Sequence, residues 1–482
     1  MTVTRRLLPV LVMAMVIVVG SRPAAAQALA QRPEVAAALQ VLDAWIGSAV
    51  ASREIPGLAI GIVHDQDVVW SKGYGFADVE RRTPVTSATL FRIASISKTF
   101  TATAIMQLRD TGKLALDEPV VTYLPWLAFR NTHPDGPAIT VRHLLTHTSG
   151  LPRELAEPLW NDPKPLRRED ALRLLGEAES TYAAETRFKY SNLGFALLGE
   201  VVAAVSGEPY AAYVDAHILK PLGMAATLVT PRADTPGLAV GYSLRRPGVP
   251  RAPIDFVDVG WLTPAGGLAS SVDDLAKFVS LQFRDRAAGG PQVLRGSTLR
   301  EMRRPQWLRA DWQSGQGLGF AVRRADGIVR VGHEGLLPGQ GSFVTFAPAS
   351  KLGVVVLING AGGSPVRFAD QVFATLNPVI MREIDPARAT ATAPPAWLSY
   401  VGTYAGPKWF DDLQIMILNG QLTMVSPGSD TPWADRVVLR PVAADTFRMQ
   451  GGWAAGELAK FELDARGRVV RLLAGNVYWT RK

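Results

Sequence analysis

Residues 385–396, DPARATATAPPA, constrain this chain more than any other feature. They have neither the 3.6-residue nor the two-residue apolar period of a packed element. They therefore read as an interdomain linker between residues 33–384 and 397–482. Ahead of the linker, residues 33–384 mix strand and helix signals. Residues 58–63 and 68–70 flank the turn Asp65-Gln66-Asp67 and predict an N-terminal hairpin. Residues 95–108 combine good helix formers with polar punctuation suited to a buried helix. Residues 329–331, 343–346 and 354–358 return to short strands. Hairpins at both ends with helices between them predict an α/β fold of the α+β kind: an antiparallel sheet flanked by helices, not alternating βα units. Behind the linker, residues 397–482 change character. The run 413–418, Asn419-Gly420, 421–426 is strand, type I′ turn, strand, and further short strands follow at 437–439, 446–449, 461–463 and 469–473. A small antiparallel sandwich or barrel is expected there.

Residues 1–26 carry Arg5 and Arg6, an apolar run from Leu7 to Gly20, then Pro23 and Ala24-Ala25-Ala26, the order of a secretory signal peptide cut after Ala26. Pro9 interrupts the run, which falls short of the roughly 20 apolar residues a membrane span needs, so no stable span is expected after cleavage. The expected location is periplasmic or secreted. The formal charge of +8 invites a nucleic-acid reading, but the leader holds Arg5, Arg6 and Arg22 and no acid, which leaves +5 on mostly scattered arginines. No zinc finger, RNA-recognition signature or basic stripe is visible, and no nucleic-acid partner is expected. The chain has no cysteine, which excludes disulfides, thiol nucleophiles and Cys-ligated metals. Covalent chemistry must run on Ser, Thr, Lys, Tyr or a carboxylate.

No serine sits in G-x-S-x-G, and neither G-x-x-x-x-G-K-[ST] nor a strand-associated G-x-G-x-x-G is present. His143 and His147 are four apart, but Leu144, Leu145 and Thr146 replace the Glu of a zinc-protease motif. A structural role, holding the turn Thr148-Ser149-Gly150, is expected instead. Ser95-Ile96-Ser97-Lys98 places a hydroxyl and an amine on one helical face. If Ser95 opens the helix, free backbone N–H groups lie beside its Oγ, and burial would favour the neutral amine of Lys98. Alone, S-x-x-K arises by chance about once in a chain of this composition. Tyr190-Ser191-Asn192 and His333-Glu334-Gly335 give it weight. A Tyr190 hydroxyl relays protons, Asn192 binds an amide, and a glycine strand admits a substrate backbone.

The set S-x-x-K, Y-x-N and H-x-G resembles the three signature motifs of the β-lactamase-related serine hydrolases: class C β-lactamases, penicillin-binding peptidases, D-aminopeptidases and family VIII esterases. The likeness extends through LFRIASISKTFTATAIMQL (90–108), ITVRHLLTHTSGLP (139–152), PAGGLASSVDDLAKF (264–278) and residues 332–347. It implies a β-lactamase/penicillin-binding-protein-like fold with a helical subdomain. It also implies Ser95 as nucleophile, Lys98 as its base, Tyr190 as proton relay and Asn192 as holder of the substrate amide. His333 and Gly335 would line the substrate strand, and the N–H groups of Ser95 and Leu336 would form the oxyanion hole. Class C enzymes usually carry Lys-Thr-Gly where this chain has His333-Glu334-Gly335, and H-x-G is more similar to certain DD-peptidases and D-aminopeptidases. A β-barrel tail is similar to D-aminopeptidase-type members, in which it shapes the active-site mouth.

The expected protein is thus an exported serine hydrolase acting on a small-molecule or peptide substrate (an ester, a D-amino-acid peptide or a β-lactam) through an acyl-Ser95 intermediate, with no cofactor and no metal. The alternative is a penicillin-binding sensor that acylates without turnover. The sequence sets neither substrate nor oligomeric state; selectivity is expected in loops such as 154–162.

Overall fold

The computed structural model describes residues 29–155, 164–284, 292–325, 327–384, 393–418 and 420–482. The leader, most of the linker and most of the loop 154–162 lie outside them. Apolar residues at successive positions bury both faces of a strand, and that pattern organises the large domain. Its elements in order are helix α1 (Pro33–Ser52), strands β1 (Gly57–His64), β2 (Asp67–Asp78) and β3 (Thr83–Pro84), helices α2 (Ser97–Asp110), α3 (Val141–Leu145), α4 (Asn192–Ser206), α5 (Thr263–Gly266) and α6 (Val272–Leu281), strands β4 (Trp307–Leu308), β5 (Ser314–Gln316), β6 (Ala321–Ala325), β7 (Ile328–Leu337), β8 (Gln340–Ala347) and β9 (Leu352–Ile358), and helix α7 (Pro365–Ile384), with shorter pieces between. The sheet runs β3-β2-β1-β9-β8-β7-β6-β5-β4. The two chain-distant hairpins meet where β1 pairs antiparallel with β9, Leu58 opposite Ile358 and His64 opposite Leu352.

The alternation of β1 sorts the core. Leu58, Ile60 and Ile62 join Val354, Val356 and Ile358 under α1 and α7, with Trp45 against Phe368 at 5.3 Å between ring centres. Ala59 and Val63 face the other way, into a core with Val355, Leu357, Phe100 of α2, Phe195 of α4 and Phe278 of α6. Phe100 and Phe278 stack at 4.2 Å. The threonines that punctuate α2 are buried because each hydroxyl has a nearby acceptor: Thr99 donates to the Ile96 carbonyl (2.7 Å), Thr103 to Thr99 (2.8 Å) and Thr101 to Pro264 (2.6 Å).

Strands are longer than their apolar runs. The expected strand 68–70 extends through β2 to Asp78, across a glycine-rich half with no alternation to read. Gly73 is there because a Cβ would collide with the Val85 carbonyl of the returning chain. Likewise 329–331 is only the first part of β7.

The C-terminal part is a closed barrel of eight strands: β10 (Gly402–Ala405), β11 (Leu413–Leu418), β12 (Gln421–Val425), β13 (Val437–Ala443), β14 (Thr446–Gln450), β15 (Leu458–Leu463), β16 (Val469–Ala474) and β17 (Val477–Arg481). Tyr404 opposite Arg481 closes it, through two strands that carry no turn signal of their own. The barrel has its own centre around Tyr404, Phe447, Phe461 and Trp479. Met416, Leu418, Val425 and Trp433 instead complete the core of α1 and α7. The barrel therefore packs with α1 and α7 on the side of the sheet away from α2. Helix α1, apolar and long enough to cross a membrane, spends its apolar face in this shared layer. Met416→Ala is expected to destabilise the whole chain by about 2–5 kcal/mol in urea denaturation. An unchanged midpoint would mean that this layer does not tie barrel to sheet.

Candidate active site

Ser95 lies in a 3₁₀ turn, Ala94–Ile96, that runs directly into α2. Ala94 sits at φ 48°, the left-handed region that non-glycine residues rarely adopt. The neighbouring sheet holds the turn in that shape. The Ile93 carbonyl accepts from Ser342 Oγ on β8 (2.8 Å), and its N–H donates to the Leu268 carbonyl (3.0 Å). Gly335 of β7 packs against the same turn, where a Cβ would collide with the Ile93 carbonyl and Ser342 Oγ. The glycine of the third motif is thus required by the backbone under the serine.

Lys98 is one turn further on and fully buried. Its Nζ lies 3.2 Å from Ser95 Oγ, 2.7 Å from Asn192 Oδ1 and 2.6 Å from the Ala265 carbonyl of α5. Burial holds its basicity well below the ordinary lysine value, the positive charge of Arg153 lowers it further, and Glu154 opposes both. A neutral amine has two N–H groups and one lone pair. The Ala265 carbonyl accepts only, and Asn192 presents its oxygen, so these two take the N–H groups. The lone pair is left for Ser95, whose hydroxyl donates to it. The Tyr190 hydroxyl hydrogen-bonds Ser95, and burial pushes its pKa up to about 12, so it is a neutral phenol at pH 7. The chain of donors runs from Tyr190 to Ser95 to Lys98.

The middle residue of the second motif explains its spacing. Ser191 is the N-cap of α4: its Oγ accepts from the Gly194 N–H (2.9 Å) and donates to the Pro152 carbonyl (2.7 Å). That cap sets Asn192 on the first turn of α4 and Tyr190 just outside it. His147 fixes the other side. Its Nδ1 accepts from the Ser191 N–H (3.1 Å) and its ring stacks on Tyr190 at 4.3 Å. Burial holds His147 well below the usual histidine range, so it stays neutral. The two histidines do not share a helical face. His143 closes a capping box with Thr140 at the start of α3, while His147 lies past the end of α3 at φ 58°. A structural role was expected for the pair; for His147 that role is to support Tyr190, not only the turn 148–150.

Beyond Gly332, where β6 stops, β7 keeps β8 on one side and has an open edge on the other. His333 and Gly335 are buried on one face, and Glu334 and Leu336 are exposed, as alternation requires. His333 Nδ1 donates to the Glu334 carbonyl (2.6 Å), and burial with the nearby Lys98 pushes its pKa down to about 4. It carries no charge at pH 7. The structure thus brings Ser95, Lys98, Tyr190, Asn192, His333 and Gly335 together, with Leu336 next along the edge.

Sequence reasoning did not single out Arg153, and it placed Glu154 only within the loop 154–162 expected to carry selectivity. The Arg153 guanidinium lies 5.0 Å from the centre of the Tyr190 ring, and Glu154 Oε1 accepts from Asn192 Nδ2 at 2.7 Å. Both directly follow the H-T-S-G-L-P stretch that carried the resemblance, and their charge beside an otherwise neutral site was the available signal. Among the described residues no cluster of three or more metal-ligating side chains occurs.

Protein flp of Staphylococcus aureus (strain MW2) is 28% identical over 325 residues, 66% of this chain and 63% of the relative. Beta-lactamase-like protein 2 of Dictyostelium discoideum is 31% identical over 296 residues, 60% of this chain and 53% of the relative. The chain thus spans about 63% or less of these curated relatives' length. Among solved structures, the octameric penicillin-binding protein homologue of Pyrococcus abyssi superposes with a TM-score of 0.62 at 27% identity, covering 92% of this chain and all of that one. EstCE1, a hydrolase with promiscuous acyltransferase activity, shares the fold with a TM-score of 0.59 at 24% identity, covering 70% of this chain and 97% of its own. The beta-lactamase family model matches residues 42–376, and the chain belongs to the beta-lactamase family.

Proposed function

We propose that this protein is a serine hydrolase that cleaves uncharged ester or amide bonds through an acyl-Ser95 intermediate. One observation carries the reading: a buried amine 3.2 Å from Ser95 Oγ that also meets two pure acceptors, Asn192 Oδ1 and the Ala265 carbonyl, so that in its neutral form its lone pair is left for the Ser95 proton. In the forward step Ser95 Oγ attacks the acyl carbonyl while its proton passes to Lys98 Nζ. The oxyanion forms beside the N–H groups of Ser95 and Leu336. As the tetrahedral adduct collapses, the bond to the leaving group breaks, and that group takes its proton from the Tyr190 hydroxyl, which Lys98 reprotonates. Water then releases the acid from acyl-Ser95 by the reverse relay. The open edge of β7 offers a place for a substrate backbone. The leader 1–26 supports action in the periplasm or outside the cell.

Substrate charge follows from the third motif. His333 is neutral where Lys-Thr-Gly enzymes carry a cation, so a substrate carboxylate lacks that partner. Arg153, the cation whose guanidinium lies over the Tyr190 ring, is 3.5 Å from the Glu154 carboxylate, which offsets it. A p-nitrophenyl acyl ester and a D-alanyl amide are expected to show higher kcat/KM than nitrocefin. A clear lead for nitrocefin would contradict this substrate class.

Two further outcomes test the chemistry. Ser95→Ala is expected to lower turnover on the order of 10⁶-fold with the fold intact by circular dichroism, and mass spectrometry should find the acyl adduct on Ser95 in the unaltered protein. Activity that survives Ser95→Ala but vanishes with EDTA would sink the assignment. The pH profile should fall on the acid side, because below its depressed pKa Lys98 is protonated and the lone pair is gone. The limb should lie well below the ~10.4 of a free lysine, with an apparent value that belongs to the coupled Lys98–Tyr190 pair. A flat profile, unchanged in Lys98→Ala, would remove Lys98 from the mechanism.

A further inference from the structure

Whether the Lys98 lone pair is free for Ser95 depends on which way the Asn192 amide points, and that rests on a group outside the three motifs. An asparagine side chain is a donor at one end and an acceptor at the other, and the two ends are nearly the same shape. Turned the right way, Asn192 offers Oδ1 to Lys98 and takes an N–H from it. Turned by 180°, it offers Nδ2, and a neutral Lys98 must then spend its lone pair on that N–H instead of on the Ser95 proton. Asn192 cannot choose on its own, because Lys98 as a neutral amine can meet either end. The choice is made on the far side of the amide.

There Glu154 Oε1 lies 2.7 Å from Asn192 Nδ2, while Asn192 Oδ1 lies 2.7 Å from Lys98 Nζ. An ionised carboxylate accepts hydrogen bonds and donates none, so it tolerates only the NH₂ end of the amide. The Glu154 side chain is 17% exposed and Asn192 is buried, which strengthens the bond and raises the cost of the wrong orientation. We infer that Glu154 is the positioning residue of the site: its carboxylate locks the Asn192 amide with Oδ1 toward Lys98 and so keeps the lysine lone pair free for Ser95. The inference rests on the serine-hydrolase reading above and adds a residue that touches neither substrate nor nucleophile.

Charge gives a second readout. Lys98 is faced by Tyr190 and Asn192 at the start of α4, the Ala265 carbonyl of α5, His333 of β7 and His147, all uncharged at neutral pH. The charges that reach it come from Arg153 and Glu154 on the loop beyond α3. Removing the Glu154 charge favours the neutral amine and moves the acid limb of the rate profile to lower pH.

The test uses the full chain, a p-nitrophenyl acyl ester, and the variants Glu154→Gln and Glu154→Leu, each checked for an unchanged melting temperature. Glutamine fills the same space but accepts or donates, so it biases the amide only weakly; leucine does not bias it. The expected order of kcat is glutamate, glutamine, leucine, with the leucine variant down about 10²-fold, KM nearly constant, and the acid limb shifted to lower pH in both variants. Glutamine equal to glutamate would mean that only packing matters. Glutamine equal to leucine would mean that only charge matters. Either result, an acid limb that stays in place, or a loss seen in KM rather than kcat overturns the inference. A Ser95 adduct in the unaltered protein with all three forms equally active overturns it alone. Absence of that adduct overturns the serine-hydrolase reading as well.

Discussion

An ammonium placed where Lys98 sits would lose its hydration shell against Phe195, Tyr190 and the α5 backbone, with a penalty of several kcal/mol even after relaxation. The neutral amine loses far less, and the surroundings select it. That single protonation state organises the site. It commits two N–H groups to fixed acceptors, aims one lone pair at a hydroxyl, and requires water to be kept out of the floor of the cleft. The core that does this is long-range: α2 supplies the lysine, α4 the asparagine, and α5, 167 residues away in sequence, the carbonyl. Such a constellation needs a scaffold that will not relax around it, and a sheet buried on both faces provides one.

Ser95, the proposed nucleophile, is held by opposing constraints. Ala94 in the left-handed region costs about 1–2 kcal/mol, and an isolated turn would abandon it. Here Ser342 on β8, the Leu268 carbonyl and the close face of Gly335 fix the backbone around Ile93 and Ala94, so the turn cannot straighten without breaking buried hydrogen bonds. Gly335, which closes on this turn, belongs to β7, the strand whose edge is open beyond Gly332. The turn that carries Ser95 and that open edge are therefore held against each other.

Much of this was legible in the residues. Binary patterning marked the hairpin at Asn419-Gly420 and the antiparallel sheet with its covering helices, because strand period and turn chemistry are local properties. The three motifs picked out six residues, five of them with side chains, that the structure gathers in one place. Other features were not legible, for physical reasons. The glycine-rich half of β2 lacks alternation because its neighbour crosses too closely for side chains, so the signal that marks a strand is absent where the packing is tightest. Two barrel strands were missed because closure, Tyr404 against Arg481, is a contact between the ends of the domain. His147 looked like half of a histidine pair at helical spacing. The backbone turns to positive φ at that residue, which breaks the helical geometry the spacing assumed and sends the ring to Tyr190. Arg153 and Glu154 carry no motif; only the fold shows that they flank the relay.

The two adjacent charges act on Lys98 in opposite directions. A general base must be neutral at the working pH and still basic enough to take a serine proton, and these demands pull its pKa in opposite directions. Burial pushes Lys98 toward neutrality, and Arg153 pushes it further. Glu154 acts against both. Because Arg153 and Glu154 are neighbours in sequence and 3.5 Å apart, they add little net charge to the cleft, yet each reaches a different member of the relay: the guanidinium lies over the Tyr190 ring and the carboxylate binds the amide next to Lys98. On both groups the guanidinium outweighs the carboxylate: the pair favours negative charge on the Tyr190 oxygen and a neutral amine on Lys98, with Glu154 moderating each effect. The loop therefore biases Lys98 toward the form that can accept a proton, before any substrate arrives.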